Sequence, residues 1–192
     1  IFRGQASVTN GEFAFEFIVP RDITVAEGNG KISLYSKANT TLSDNRGYNY
    51  DIKIGGVNLN APEDNSGPGI NLFMNDENFV SGGITNENPT LLANLYDENG
   101  INTASGIGHD ITAILDGDET NVFKLNDYYS AAVDDYQRGS LSYPFRDLSP
   151  GLHTLTLKAW DVYNNSSTQD IQFIVFDKDD SLKLTNVLNY PN

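Results

Sequence analysis

The chain has no cysteine in its 192 residues, one methionine, one tryptophan and two histidines. Without cysteine, disulfides, thiolate zinc sites and a cysteine nucleophile are excluded within these residues. Two histidines exclude a multi-histidine metal site. Basic residues are scarce: 12 Lys and Arg stand against 26 Asp and Glu, a formal net charge of -14. No Lys/Arg cluster exists, so neither a nucleic acid nor an anionic lipid surface finds a counterpart here. No apolar run approaches the roughly 18 residues that cross a bilayer as a helix, and direct membrane insertion is not expected.

What is present is β-patterned. Apolar residues make up 39% of the chain, enough to build a core rather than a disordered coil. In "GEFAFEFIVP", Phe13, Phe15, Phe17 and Val19 share one face of an extended run, and Pro20 ends it. "RGQASVTNG", "KISLYS" and "YNYDIKIGG" bring the first 60 residues to about four expected strands, separated by the turn chemistry of "EGNGK" and "LSDNRG". The Gly-, Pro- and Asn-rich stretch around residues 61–67 reads as a linker. Beyond it, "INLFMND", "TLLANLYD", "DITAILDG", "NVFKLN", "LSYPFRDL", "LHTLTLKAWD" and "DIQFIVF" read as seven short strands. The segment "NDYYSAAVDDYQRG" interrupts the alternation at Ala131, Ala132 and Val133, which suggests a short helical turn.

The fold class expected is therefore all-β. A small or partial antiparallel domain spans residues 1–60, a linker 61–67, an immunoglobulin-like β-sandwich 68–176, and a further linker 177–192. Within "LHTLTLKAWD", His153, Leu155, Leu157 and Ala159 take the core face. The last strand is apolar on both faces, with Ile171, Phe173 and Val175 on one and Ile174 and Phe176 on the other. Its outer face is expected to pack on another module or beneath the 126–137 segment.

Candidate chemistry is thin. His109 and Asp110 are adjacent on a strand, point to opposite faces and cannot form an orienting pair. His153 reads as a satisfied buried imidazole. Asp116, Asp118, Thr120 and Asn121 in "LDGDETN" invite a Ca²⁺ reading, but no EF-hand Gly or Glu follows, and Asp-Gly-Asp is an ordinary hairpin tip. Trp160, Asp161, Asn164 and Asn165 in "WDVYNNSS" fit a sugar platform or a cation bridge; the simpler reading has Asx side chains closing a hairpin. Tyr128 and Tyr129 offer a second aromatic platform. Asn39, Asn164 and Asn165 satisfy the glycosylation sequon, and Asp134 with Asp135 has the composition, though no fixed separation, of a glycosidase pair. No catalytic, cofactor-binding or metal-ligating residue is assigned, and no cofactor is expected.

Several stretches in order carry a resemblance: "FRGQASVTNGEFAFEFIVPRDI", "GPGINLFMNDENFVSGG", "YDENGINTASGIGHDITAILDG", "LNDYYS", "YPFRDLSPGLHTLTLKAWDVYNNSS" and "NYPN". Together they resemble the C-terminal region of the type IX secretion sortases of Bacteroidetes, members of the gingipain family of cysteine peptidases. The resemblance implies a catalytic domain ahead of Ile1 and reads the terminal "NYPN" as the start of a C-terminal sorting domain. It implies a parent enzyme at the outer-membrane surface that removes sorting domains from secreted cargo and transfers the cargo to lipopolysaccharide. Implied partners are the catalytic domain of the same protein, other type IX attachment components and cargo sorting domains. The family nucleophile is cysteine, so no family catalytic residue maps onto this chain. Rival readings are a glycan-binding module and an adhesin stalk.

Overall fold

A computed structural model describes residues 2–21, 23, 26–38, 41–104 and 108–176. The expected linker at 177–192, with its Asn-Tyr-Pro-Asn terminus, and the sequon residue Asn39 lie outside the described residues. Among the described residues, regular structure is all β apart from one 3-10 turn at Asn126–Tyr128.

The N-terminal part holds two small ribbons. β1 (Gly28–Asn29) pairs with β4 (Lys53–Ile54), and β2 (Ile32–Lys37) pairs antiparallel with β3 (Asp44–Asn49) from Ile32↔Asn49 to Lys37↔Asp44. Two-stranded ribbons bury little, and all of β3 is exposed. The run at residues 11–20 forms no hydrogen-bonded strand, contrary to expectation. Its alternation nonetheless holds: the rings of Phe13, Phe15 and Phe17 stack 6.3 and 6.2 Å apart, and Phe2 closes the column at 4.2 Å from Phe17. The stretch "RGQASVTNG" likewise makes only isolated bridges, Gln5↔Val133 and Thr9↔Glu12. Alternation sets which side chains share a face, whereas the ladder partner is a matter of distant chain.

Two facing sheets build the main body. Its strands are β5 (Gly69–Met74), β6 (Gly83–Thr85), β7 (Thr90–Tyr96), β8 (Thr112–Leu115), β9 (Phe123–Lys124), β10 (Tyr129–Ala132), β11 (Asp135–Pro144), β12 (Gly151–Trp160) and β13 (Ser166–Val175). One sheet has the order β10-β11-β7-β5, the other β6-β13-β12-β8-β9. All pairs are antiparallel except β6, which adds to β13 in parallel through Phe173↔Gly83 to Val175↔Thr85. Fully buried Leu91, Leu95, Met74 and Leu141 from the first sheet meet Leu155, Leu157, Phe173 and Val175 from the second in one apolar core. His153, Leu155, Leu157 and Ala159 do line the inner face of β12.

Several features differ from the sequence pattern, among them the expected turns "EGNGK" and "LSDNRG", which carry β1 and the start of β3 because each finds a ladder partner across its ribbon. Ala131 and Ala132 belong to strand β10, with a register irregularity between them; the helical turn sits one step earlier, at Asn126–Tyr128. β6 has only three residues, too few for alternation to register. β11 begins at Asp135, well before "LSYPFRDL", because polar residues on its outer face hide its period. The 126–137 segment feeds the opposite sheet, so it does not cover Ile174 and Phe176, which stay 40% and 47% exposed.

Core and outer face of β13 should therefore respond differently. Phe173→Ala is expected to cost about 3–5 kcal/mol in urea unfolding. Ile174→Ser is expected to cost less than about 1 kcal/mol, and equal losses at the two positions would contradict the burial pattern.

Candidate functional site

The densest chemistry lies at one end of the sandwich, where three loops meet. Each loop is closed by an aspartate whose Oδ1 accepts the backbone N–H two residues on, the Asx-turn that short acidic side chains favour. Ser66 N–H donates to Asp64, Asn99 N–H to Asp97, and Tyr163 N–H to Asp161, at 2.9, 2.8 and 2.8 Å. Asp97 follows β7 directly, and Asp161 follows β12. Asp64 precedes β5 and is drawn in because Gly67 runs against the Ser166 backbone, where an added Cβ would stand 2.5 Å from the Ser166 carbonyl carbon.

One carboxylate oxygen from each of Asp64, Asp97 and Asp161 lies within 4.8 Å of the others. Asp161 is wholly buried and Asp97 is 5% exposed. Amides knit the group together. Asn99 Nδ2 donates to Asp64 Oδ2 at 2.7 Å, and Asn165 Nδ2 donates to Asp161 Oδ2 at 2.7 Å and to the Asp64 carbonyl at 3.1 Å. The turn beyond Asp97 needs Gly100 at φ +104°, where Gly100 N–H returns to Asp97 Oδ1 at 3.1 Å. No Lys or Arg is bonded to these three carboxylates among the described residues.

Burial without a cation has a clear electrostatic consequence. Desolvation pushes the Asp97 carboxyl up to about 6; bonds from Asn99 and Gly100 oppose this, and the neighbouring Asp161 and Asp64 charges add to it. Burial likewise raises Asp161, against the bonds from Asn165 and Tyr163. Three clustered carboxylates form an all-oxygen donor set of the kind a hard divalent cation such as Ca²⁺ accepts. They can equally share protons.

The residues singled out from sequence are distributed differently. Asp161 and Asn165 do close the β12–β13 hairpin, and Asp161 also enters the acidic group. Sequence pattern does not mark Asp64 or Asp97; the available signal is a repeated Asp followed two residues later by a turn residue, which is too common to single out. Asp116 and Asp118 do not act together. Asp116 binds His153 Nδ1 at 2.7 Å and Thr154 N–H at 2.9 Å, while Asp118 accepts the Thr120 hydroxyl at 2.6 Å, which lowers its pKa. His153 is buried and satisfied, its Nε2 meeting the Ser149 carbonyl at 2.7 Å. Burial alone would lower its pKa; the Ser149 and Asp116 contacts outweigh that and raise it.

The His109 ring lies tilted by 52° against Trp160 at 4.3 Å, and Asp110 meets Lys124 Nζ at 2.8 Å; contrary to expectation neither residue belongs to a strand, since β8 begins at Thr112. Neither aromatic platform assembles. Lys158 Nζ lies 4.2 Å over the Trp160 ring, and Tyr129 is buried in the core while Tyr128 faces out beside Tyr143. Asp134 receives the Ser7 N–H and hydroxyl at 2.7 and 2.6 Å, whereas Asp135 receives Gln137 N–H at 2.9 Å, which separates their tasks.

No family model matches the chain. No curated protein matches it either. Among solved structures, the chain is similar to dimeric latent PorU from Porphyromonas gingivalis, with 36% identity and a TM-score of 0.59. That similarity covers 86% of this chain and 16% of the PorU chain. An endo-beta-1,4-mannanase from Thermotoga petrophila shares 12% identity over 57% of this chain and 20% of its own, with a TM-score of 0.37. No helix among the described residues is long and apolar enough to cross a membrane.

Two measurements follow from the electrostatics. The folded state holds the Asp97 proton more tightly than the unfolded chain does, so this group adds stability below pH 4 and loses it as pH rises towards about 6. In chelator-treated buffer at pH 7.5, Asp97→Asn should raise stability by on the order of 1–3 kcal/mol and flatten the acid-side slope. A destabilised variant would contradict the uncompensated charge. For His153, whose folded pKa is raised, the contribution is present below its unfolded value and lost as pH rises through the folded one. Asp116→Asn should lower the imidazole pKa read by NMR, and an unchanged value would show that Asp116 does not hold the proton.

Proposed function

We propose, from the likeness of the chain to the C-terminal region of PorU, that it is a non-catalytic β-sandwich region of a type IX secretion sortase at the cell surface. The carrying observation is the 36% identity sustained over 86% of the chain, a level at which more than fold is shared. The chain spans 16% of the PorU structure, which leaves ample protein for a separate catalytic unit. In the proposed parent, a cysteine peptidase removes sorting domains from secreted cargo and passes the cargo to lipopolysaccharide through a thioester. This region would position that enzyme against its own catalytic domain, other attachment components and cargo sorting domains.

The side chains here support a scaffold role. The sequence supplies no cysteine. Both His153 ring nitrogens are engaged with Asp116 and Ser149, and the His109 ring packs against Trp160 with no cysteine in the chain for it to activate. In this reading the acidic end acts as a clasp of three loops, each carboxylate being tied to its own turn.

The reading is tested with a peptide carrying a sorting-domain junction. The purified chain should give no cleavage, while the longer protein that contains it should cleave and lose cargo maturation when this region is deleted. Turnover by the chain alone that survives rigorous purification would overturn the reading, as would normal cargo maturation after the deletion.

A further inference from the structure

We propose that the outer face of the β10-β11-β7-β5 sheet binds an uncharged saccharide chain along one cross-strand row of polar side chains. The row follows from register. Asn71 pairs with Asn94, Asn94 with Ser140, and Ser140 with Ser130, so four side chains stand side by side on the face away from the core. Their strand neighbours Leu72, Ala93, Leu95 and Leu141 point inward, as the two-residue period requires. At a strand spacing of about 4.8 Å the row runs roughly 14 Å. Gln5 closes one end, its Nε2 donating to Ser130 Oγ at 2.6 Å and to the Ala131 carbonyl at 3.1 Å. Gln5 of the N-terminal segment thereby borders an open, shallow groove of about 440 Å³.

The groove's chemistry selects the ligand. None of its lining residues is Asp or Glu, although 26 such residues crowd this chain. Its one charged lining residue is Arg138, whose guanidinium lies over the Tyr96 ring at 5.1 Å with the Asp135 carboxylate 3.9 Å away to offset its charge. Asparagine and serine each offer donors and acceptors, the mixed roles that sugar hydroxyls answer. Asn71 and Ser140 make no side-chain hydrogen bond among the described residues, and Asn94 uses only its Nδ2, towards Glu77 at 2.9 Å. Tyr96, 46% exposed, borders the row with Arg138 over one face of its ring, and Gly69 opposite it leaves that flank without a side chain. An extended peptide would seek the backbone groups of a sheet edge rather than this face. A nucleic acid would meet the net charge of -14.

The test is an NMR titration of the whole 192-residue chain with cello-, manno- and maltohexaose. At least one should shift the Asn71 and Asn94 side-chain amides, with half-saturation near or below about 10 mM. Asn94→Ala, an outward substitution, should weaken that binding about tenfold with an unchanged unfolding midpoint; Ser140→Ala serves as the second variant. The proposal fails if none of the three sugars moves those amides, if the shifts centre on Trp160 or elsewhere, or if both variants bind as the wild type does. Because this readout involves no peptide cleavage, it stands or falls separately from the scaffold reading.

Discussion

The ten-residue pairing of β12 with β13 is the constraint from which the sandwich is built. It runs without a break from Gly151↔Val175 to Trp160↔Ser166, and each neighbouring strand of that sheet is placed by it. β8 joins β12 along Leu155 to Lys158, and β6 joins β13 along Phe173 to Val175. A slip of one residue would turn Leu155, Leu157 and Phe173 to solvent and send the Thr154 and Thr156 side chains into the core. Asp161 guards against that slip at the hairpin end, accepting two backbone N–H groups and the Asn165 amide while donating its own N–H to Asn165.

The same aspartate brings electrostatic tension into an otherwise apolar body. Two buried carboxylates with a third beside them are tolerated because the Asn99 and Asn165 amides and five backbone N–H groups stand in for water. At buried His153 the balance runs the opposite way. His153 meets acceptors at both ring nitrogens, so its proton is stabilised where those of Asp97 and Asp161 relieve charge. Both arrangements tie loops to the ends of β12, one at each end, and so brace the strand that organises the sheet.

Residues ahead of β5 are attached to the sandwich by polar threads. Arg3 reaches Asp127 at 2.8 Å, Ser7 reaches Asp134, and the Arg21 guanidinium lies 5.1 Å over Tyr163 while the Arg21 backbone N–H donates to the Val162 carbonyl. Such exposed contacts contribute modestly one by one. Their number and spread define where the segment lies, and Gln5 is the contact that turns a flat sheet face into a groove.

How much of this was legible in the chain follows from the range of the forces involved. The two-residue alternation of "LHTLTLKAWD" and "DIQFIVF" sufficed to identify strands, inner faces and the all-β class, because burial acts on each side chain through its own position. The cysteine and histidine counts sufficed to remove whole chemistries. The short parallel β6, the strand character of Ala131 and Ala132, and the unpaired run at Phe13 to Phe17 depended on partners far along the chain, which no local period encodes. The meeting of Asp64, Asp97 and Asp161 is of the same kind. Each aspartate closes its own turn by local chemistry, but only the packing of three loops at one end of the sandwich brings their charges within 4.8 Å.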